Sequence, residues 1–392
     1  MKKLIFFTMA LAFVATAAPF HMWNDKVAER AGETFPTVSG AVHSRVFTAD
    51  AANGGYNHHA NIIFFYGKFH VNWSNHRYCE DGPGQRVLYK SSSDARKWGE
   101  VRELFPAPHP EAPREHSGIF ATCLGFVTWE GRLFAVANTT RTVGWKNLDQ
   151  TKSSPVFTSE CNYPVYRAIA HIYREILPNG RFGPIFTDDP GKFPDDLLFP
   201  LVRTSDCVPG FREPDCGYDI SDALRQNPGK RRFCEPVVWR AADGRFVLLL
   251  RDDSGSYRKW VSFSADGKNW SAPVISDIPD APSWSCRLAL ESGTVLLFGN
   301  HHGKGYVDEQ KRWRDRDPLL VSVSTDGIEF HGTRAVCSGW YKHQLGGIPG
   351  RGGSAQYPCA ILRNGICHVA YSLGKESIAV TSFPVVELLK GL

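Results

Sequence analysis

Three histidines crowd one short stretch of the chain: His58 and His59, adjacent, and His76 seventeen residues further on. Histidine titrates near neutral pH, so such a group can remove a proton beside a carboxylate or protonate a departing oxygen. The three lie on either side of Tyr66-Gly67, a two-residue turn between apolar runs, which reads as a β-hairpin. Counting out from that turn sets residue i opposite 133−i, so Asn57 faces His76 and His58 faces Asn75. Metal binding is a third role for His58, His59 and His76, but neighbours on a strand point to opposite faces, and a shared ion would need a bend.

The hairpin around Tyr66-Gly67 has four counterparts, around Glu130-Gly131, Asp243-Gly244, Ser292-Gly293 and Asn364-Gly365. Several of their strands are apolar on both faces, as in Ile62-Ile63-Phe64-Phe65 and Leu248-Leu249-Leu250, and must be covered on both sides. Repetition of such hairpins predicts an all-β propeller of four-stranded antiparallel blades. The 113 residues between Gly131 and Gly244 leave room for another blade, centred near Phe199–Val202, and Val42–Phe47 is expected to close the ring with the last blade. Seven blades are favoured over six. The segments Cys207–Arg232 and Gly303–Asp317 read as insertions at the rim.

Counting outward from each turn carries the other blades to the same rim. It brings there Arg141, Arg232, Glu235, Asp252, Asp253, Trp284, His301, His302, Gln356 and Tyr357, with Arg77 beside His76. Arg77, Arg141 and Arg232 are candidate clamps for a carboxylate. Tyr163 and Tyr166 are candidate acids or supports. Glu235, Trp284, His301, His302 and Tyr357 complete the candidate substrate-binding set.

A second motif follows three of the hairpins: Ser92-Ser-Asp94 with Trp98, Ser264-Ala-Asp266 with Trp270, and Ser324-Thr-Asp326 with Phe330. It resembles the Asp-box (BNR repeat) of the sialidase superfamily of propellers. The resemblance implies a turn between the outer two strands of each blade, capped by the Asp and plugged by the aromatic. The Arg-Ile-Pro start of exo-sialidases is missing; Phe211-Arg212-Glu213-Pro214 comes nearest and lies mid-chain. Tyr56-Asn57-His58-His59 with His76 is more similar to propeller enzymes that cut at uronic acids. Among these are ulvan lyases and, closer in layout, the family cleaving L-rhamnose-α-1,4-D-glucuronate by hydrolysis or elimination. That resemblance implies a histidine as the central catalytic group, carried over to His58 or His59 and to His76. An exo-α-sialidase using Glu235 and a tyrosine, and a non-catalytic glycan-binding propeller, remain as alternatives.

Lys2-Lys3, the apolar run Leu4–Val14 and Ala15–Ala18 read as a secretory leader over residues 1–18, followed by one domain over 19–392. A secreted or periplasmic monomer follows as the expectation. The apolar run is too short to span a membrane. Loss of Lys2 and Lys3 lowers the formal charge from +5 to +3, too little to suggest nucleic acid. The expected partner is an oligo- or polysaccharide. No cofactor is called for; a structural calcium in the channel is compatible with the fold, although no loop has the regular ligand spacing. Of ten cysteines, Cys207 and Cys216 are the best local disulfide pair, whereas Cys123, Cys234, Cys286 and Cys359 read as thiols in or beside strands.

Overall fold

The computed structural model describes residues 18–25, 35–77, 80–110, 118–143, 165–301, 316–339, 341–345 and 355–390. Residues 1–17 of the expected leader, Tyr163, His302 and most of the expected insertion at 303–317 lie outside the described residues. Among the described residues the chain forms a five-bladed β-propeller, with one sheet per blade. Strand β1 (Val42–Phe47) is set apart by the ring closure. Blade one follows as β2 (Tyr56–Phe65), β3 (Lys68–His76), β4 (Arg86–Ser92) and β5 (Arg102–Phe105). Blade two is β6 (Gly118–Trp129), β7 (Arg132–Val143), β8 (Val165–Ile176), β9 (Phe182–Thr187) and β10 (Leu201–Arg203). Blade three is β11 (Phe233–Arg240), β12 (Phe246–Asp252), β13 (Arg258–Ser264) and β14 (Val274–Pro279). Blade four is β15 (Cys286–Ala289), β16 (Val295–Gly299), β17 (Leu319–Ser324) and β18 (His331–Cys337). Blade five is β19 (Ala355–Arg363), β20 (Ile366–Leu373) and β21 (Ser377–Pro384), completed by β1, which pairs antiparallel with β21 as expected.

The five Gly-ended turns are the five inner hairpins. At Tyr66-Gly67, Glu130-Gly131 and Asn364-Gly365 both turn residues have positive φ, the geometry that matches strand twist across a two-residue loop. The blade number departs from the expected seven or six because the 113-residue interval builds no blade. It finishes blade two, whose short β10 pairs parallel to β9 through Leu201–Arg203. It then forms a wedge between blades two and three. Val208 and Phe211 pack on Phe134, Val136, Tyr173 and Phe186 of blade two, while Ala223 packs on Val238, Leu248 and Trp260 of blade three. The other neighbouring blades meet directly through shared apolar clusters. The Cys207–Cys216 disulfide does not form. Cys207 Sγ donates to Arg203 O and Cys216 Sγ to Tyr218 O, and both thiols are free, as are Cys123, Cys234, Cys286 and Cys359.

The three Asp-boxes lie between the third and fourth strands of blades one, three and four. Asp94 Oδ1 accepts from the backbone N–H of Arg96 and Lys97, both at 2.9 Å, and Asp266 and Asp326 repeat the pattern. Trp270 and Phe330 are buried behind them.

Closure of the ring is locked by Asn57, which is fully buried. Its Oδ1 accepts from Trp73 Nε1 at 2.8 Å and Asn75 Nδ2 at 2.9 Å; its Nδ2 donates to Glu376 O of the last blade at 2.9 Å. Asn57→Leu leaves several buried polar groups without partners and is expected to cost about 3 kcal/mol. Chemical denaturation measures it; an unchanged midpoint would contradict this role.

Candidate functional site

The inner strands of blades one, three and five share a defect. In each, two residues oppose one on the next strand: His59-Ala60, Glu235-Pro236 and Tyr357-Pro358. The first residue of each bulge is left-handed, with φ of 57° at His59, 51° at Glu235 and 56° at Tyr357. Glycine normally fills this position. For a side-chain-bearing residue the conformation costs about 1–3 kcal/mol, and it persists where the surroundings hold it. The proline after Glu235 and Tyr357 cannot donate to the ladder and so fixes the bulge.

The bulges bring together residues from separate blades. Tyr357 Oη donates a short hydrogen bond to Glu235 Oε1. Arg251 Nη1 donates to both, at 2.8 Å each, while its Nε donates to Asp253 Oδ1 at 2.8 Å. The His58 ring centroid is 4.1 Å from that of Tyr357, and His59 lies 5.4 Å from it. Arg316 and Lys375 flank the same ring at 5.3 and 6.0 Å. Lys375 Nζ donates to Glu80 Oε2 at 2.6 Å. His58 Nδ1 pairs with Ser372 Oγ at 2.7 Å, and His59 Nδ1 with Ser74 Oγ at 3.2 Å.

These contacts push the titratable groups apart. Burial raises the Glu235 carboxyl, but the Arg251 guanidinium and the Tyr357 hydrogen bond outweigh it and hold Glu235 below its ordinary range. Burial, then the Glu235 charge, hold the Tyr357 phenol well above its usual value. Burial pushes His59 down to about 4, against the pull of Glu80. At neutral pH the site therefore holds a phenol, a carboxylate and a neutral imidazole.

The bulge also corrects the register. Counting from the turn holds as far as Asn61 opposite Asn72; beyond it the pairing shifts by one, to His58 opposite Ser74 and Tyr56 opposite His76. The same bend brings the rings of His58 and His59 to 4.5 Å instead of opposite faces. His58, His59 and Glu80 each offer a ligand atom, all within 4.8 Å of one another. The Lys375 ammonium already sits on that carboxylate, so the cluster carries its own cation.

Of the other expected residues, Glu235 and Tyr357 are central. His76 is buried away from the cluster and donates from Nε2 to Pro83 O at 3.0 Å. His301 is buried against Ser285 Oγ at 3.0 Å and the edge of Trp23. Arg77 is exposed in the bend after β3, and Trp284 is half-buried before β15. Arg232 is turned outward, donating to Asp253 O. Arg141 stands high on β7, opposite Ile119 and Arg167, and Tyr166 pairs with Thr142 in β8. Arg251, Arg316, Lys375 and Glu80 were not foreseen. The signal that was available is the proline after Glu235 and after Tyr357, which marks a bulge in an otherwise apolar strand.

Known proteins match this architecture in two pieces. Residues 208–369 match the BNR repeat-like domain family, and residues 35–187 match the BT_1020-like, N-terminal β-propeller family. The two matched stretches are thus similar to BNR-repeat-like and related β-propeller domains. Among solved structures, a sialidase superposes with a TM-score of 0.64 at 20% identity, over 94% of this chain and 35% of that one. The present chain therefore spans about a third of that sialidase. A protein of unknown function from Dyadobacter fermentans gives 0.53 at 13% identity over 88% of this chain and 99% of that one. A Hadza microbial sialidase gives 0.52 at 11% identity over 88% and 69%. At these identities the likeness is one of fold. No curated protein matches the chain.

Burial pushes His76, like His59, down to about 4. Both rings are neutral in the fold and would take up a proton on unfolding below about pH 6.5, so their contribution is present above that value. It is lost as the pH falls from about 6.5 through 4, by about 3 kcal/mol for the fully buried His76. Unfolding free energies measured between pH 4 and 7 should rise with pH. A flat profile in the wild type, or an unaltered slope in His76→Gln, would contradict the neutral rings.

Proposed function

We infer that the chain is a glycoside hydrolase for acidic glycans, exported by its leader, with Tyr357 as nucleophile and Glu235 as its base. The observation that carries this reading is the Tyr357–Glu235 hydrogen bond, with Arg251 donating to both partners. A carboxylate nucleophile is repelled by a sugar that carries its own carboxylate near the reacting carbon; a neutral phenol is not. Arg316, over the Tyr357 ring at 5.3 Å, supplies positive charge for such a substrate, while the Lys375 ammonium is matched by Glu80.

In the first step the Tyr357 oxygen bonds to the anomeric carbon as its proton passes to Glu235. The glycosidic C–O bond breaks, and the departing alkoxide takes a proton from solvent. In the second, water attacks the anomeric carbon and gives its proton to the neutral His59 imidazole. The Tyr357–carbon bond breaks, Glu235 returns its proton to the phenolate, and His59 releases its own to solvent. Configuration at the anomeric carbon is retained.

A second reading, cleavage of a rhamnose–glucuronic acid linkage by elimination, is supported by His59, the neutral base of the site. Here His59 takes the proton from C5 of the uronate, a C4–C5 double bond forms as the bond from C4 to the glycosidic oxygen breaks, and the departing rhamnose oxygen takes a proton from solvent while His59 releases its own. Tyr357→Phe should lower kcat on aryl glycosides of acidic sugars by about a thousandfold, and Glu235→Gln by about a hundredfold. Gum arabic gives the parallel test, with rhamnose release and unsaturated-uronate absorbance followed together. New absorbance would favour elimination. No product from any acidic substrate would sink both readings.

A further inference from the structure

Strands β7 and β8 carry four arginines. Two are satisfied within the fold. Arg132 forms a two-pronged ion pair with Glu175, at 2.8 and 2.6 Å, and Arg174 donates to Gly183 O and Leu104 O. The other two, Arg141 and Arg167, stand directly opposite each other across the strands. Arg141 is half-buried and Arg167 exposed. Neither has a hydrogen-bond or ion-pair partner among the described residues. Side chains in such a pair start about 5 Å apart, and like charges there cost stability. An oxyanion between them reverses the sign, because two guanidinium forks can each hold it through paired N–H donors.

The pair lies on the rim of the candidate site. Ser74 Oγ accepts from Cys123 N at 2.9 Å and pairs with His59, which sets Cys123 level with the cluster. Arg141 faces Ile119, four residues further along β6, or about 13 Å up the strand. A group bound there belongs to a sugar residue beyond the one at Tyr357.

We propose that Arg141 and Arg167 form a subsite for the anionic group of an acidic polysaccharide, the carboxylate of a uronic acid or a sulfate ester, beyond the sugar that reacts. The proposal rests on the reading of the chain as a glycan-active protein, and its test reads binding alone. Native electrophoresis through gels containing polygalacturonate, a sulfated galactan or neutral dextran compares wild type with Arg141→Gln, Arg167→Gln and Arg141→Glu. Retention by an acidic polymer and not by dextran is expected, weakened about tenfold by each glutamine substitution. The polymer that retains the protein tells carboxylate from sulfate. Arg141→Glu should abolish retention and raise the melting temperature, since it turns a like-charge contact into an ion pair; that combination separates a lost subsite from a damaged fold. Repeating the gels with Tyr357→Phe keeps the subsite apart from the hydrolytic reading, because retention does not need turnover. Equal retention of wild type and Arg141→Glu, retention by dextran to the same degree, or no retention by either acidic polymer would overturn the proposal.

Discussion

The site depends on three left-handed bulge residues, one in each of three inner strands. A regular strand would turn His59, Glu235 and Tyr357 alternately into blade interfaces and away from one another. The bulge adds a residue to the strand and re-aims the side chain that begins it. Because His59, Glu235 and Tyr357 all carry side chains where glycine would be unstrained, each bulge is held against a local cost by its surroundings. The apolar clusters between blades one and five and between blades three and four supply that restraint.

Glu235 sits at the centre of an alternating set of charges. Arg251 lies between Glu235 and Asp253, and a second ion pair, Lys259 with Asp280 at 3.1 Å, is buried nearby. Lys259 also donates to Ser283 O at 2.7 Å. Buried ion pairs contribute little net stability once the charges have been desolvated. Their effect here is to fix the protonation states: the carboxylate stays ionised beside a phenol that stays protonated. Two titratable groups pushed apart by their environment and joined by a hydrogen bond have the pattern of a base and an acid, which is what supports the roles proposed for Glu235 and Tyr357.

Much of this was legible in the sequence. Five Gly-ended turns name the five inner hairpins, and three Asp-boxes name three outer turns, because both depend on local backbone chemistry. The number of blades was not legible. Spacing cannot tell a blade from a wedge, and Val208, Phe211 and Ala223 pack on two different blades without forming a sheet of their own. The histidines were found by their crowding and Glu235 and Tyr357 by counting to strand ends. The count failed past Asn61, because a single bulge shifts every later pair. Arg251 follows Leu248-Leu249-Leu250 and reads locally as the end of an apolar strand; its role arises from contacts with two other inner-strand residues, Glu235 in its own blade and Tyr357 in another. Lys375 and Glu80 meet across 295 positions, a pairing no local pattern reveals.

The most direct test of the account is covalent trapping. A fluorinated aryl glycoside of an acidic sugar, whose second step is slow, would be incubated with the protein and the digest analysed by mass spectrometry. The account predicts a sugar adduct on the peptide that contains Tyr357, absent from Tyr357→Phe. An adduct on any other residue, or full turnover of acidic glycans with no adduct at all, would contradict it.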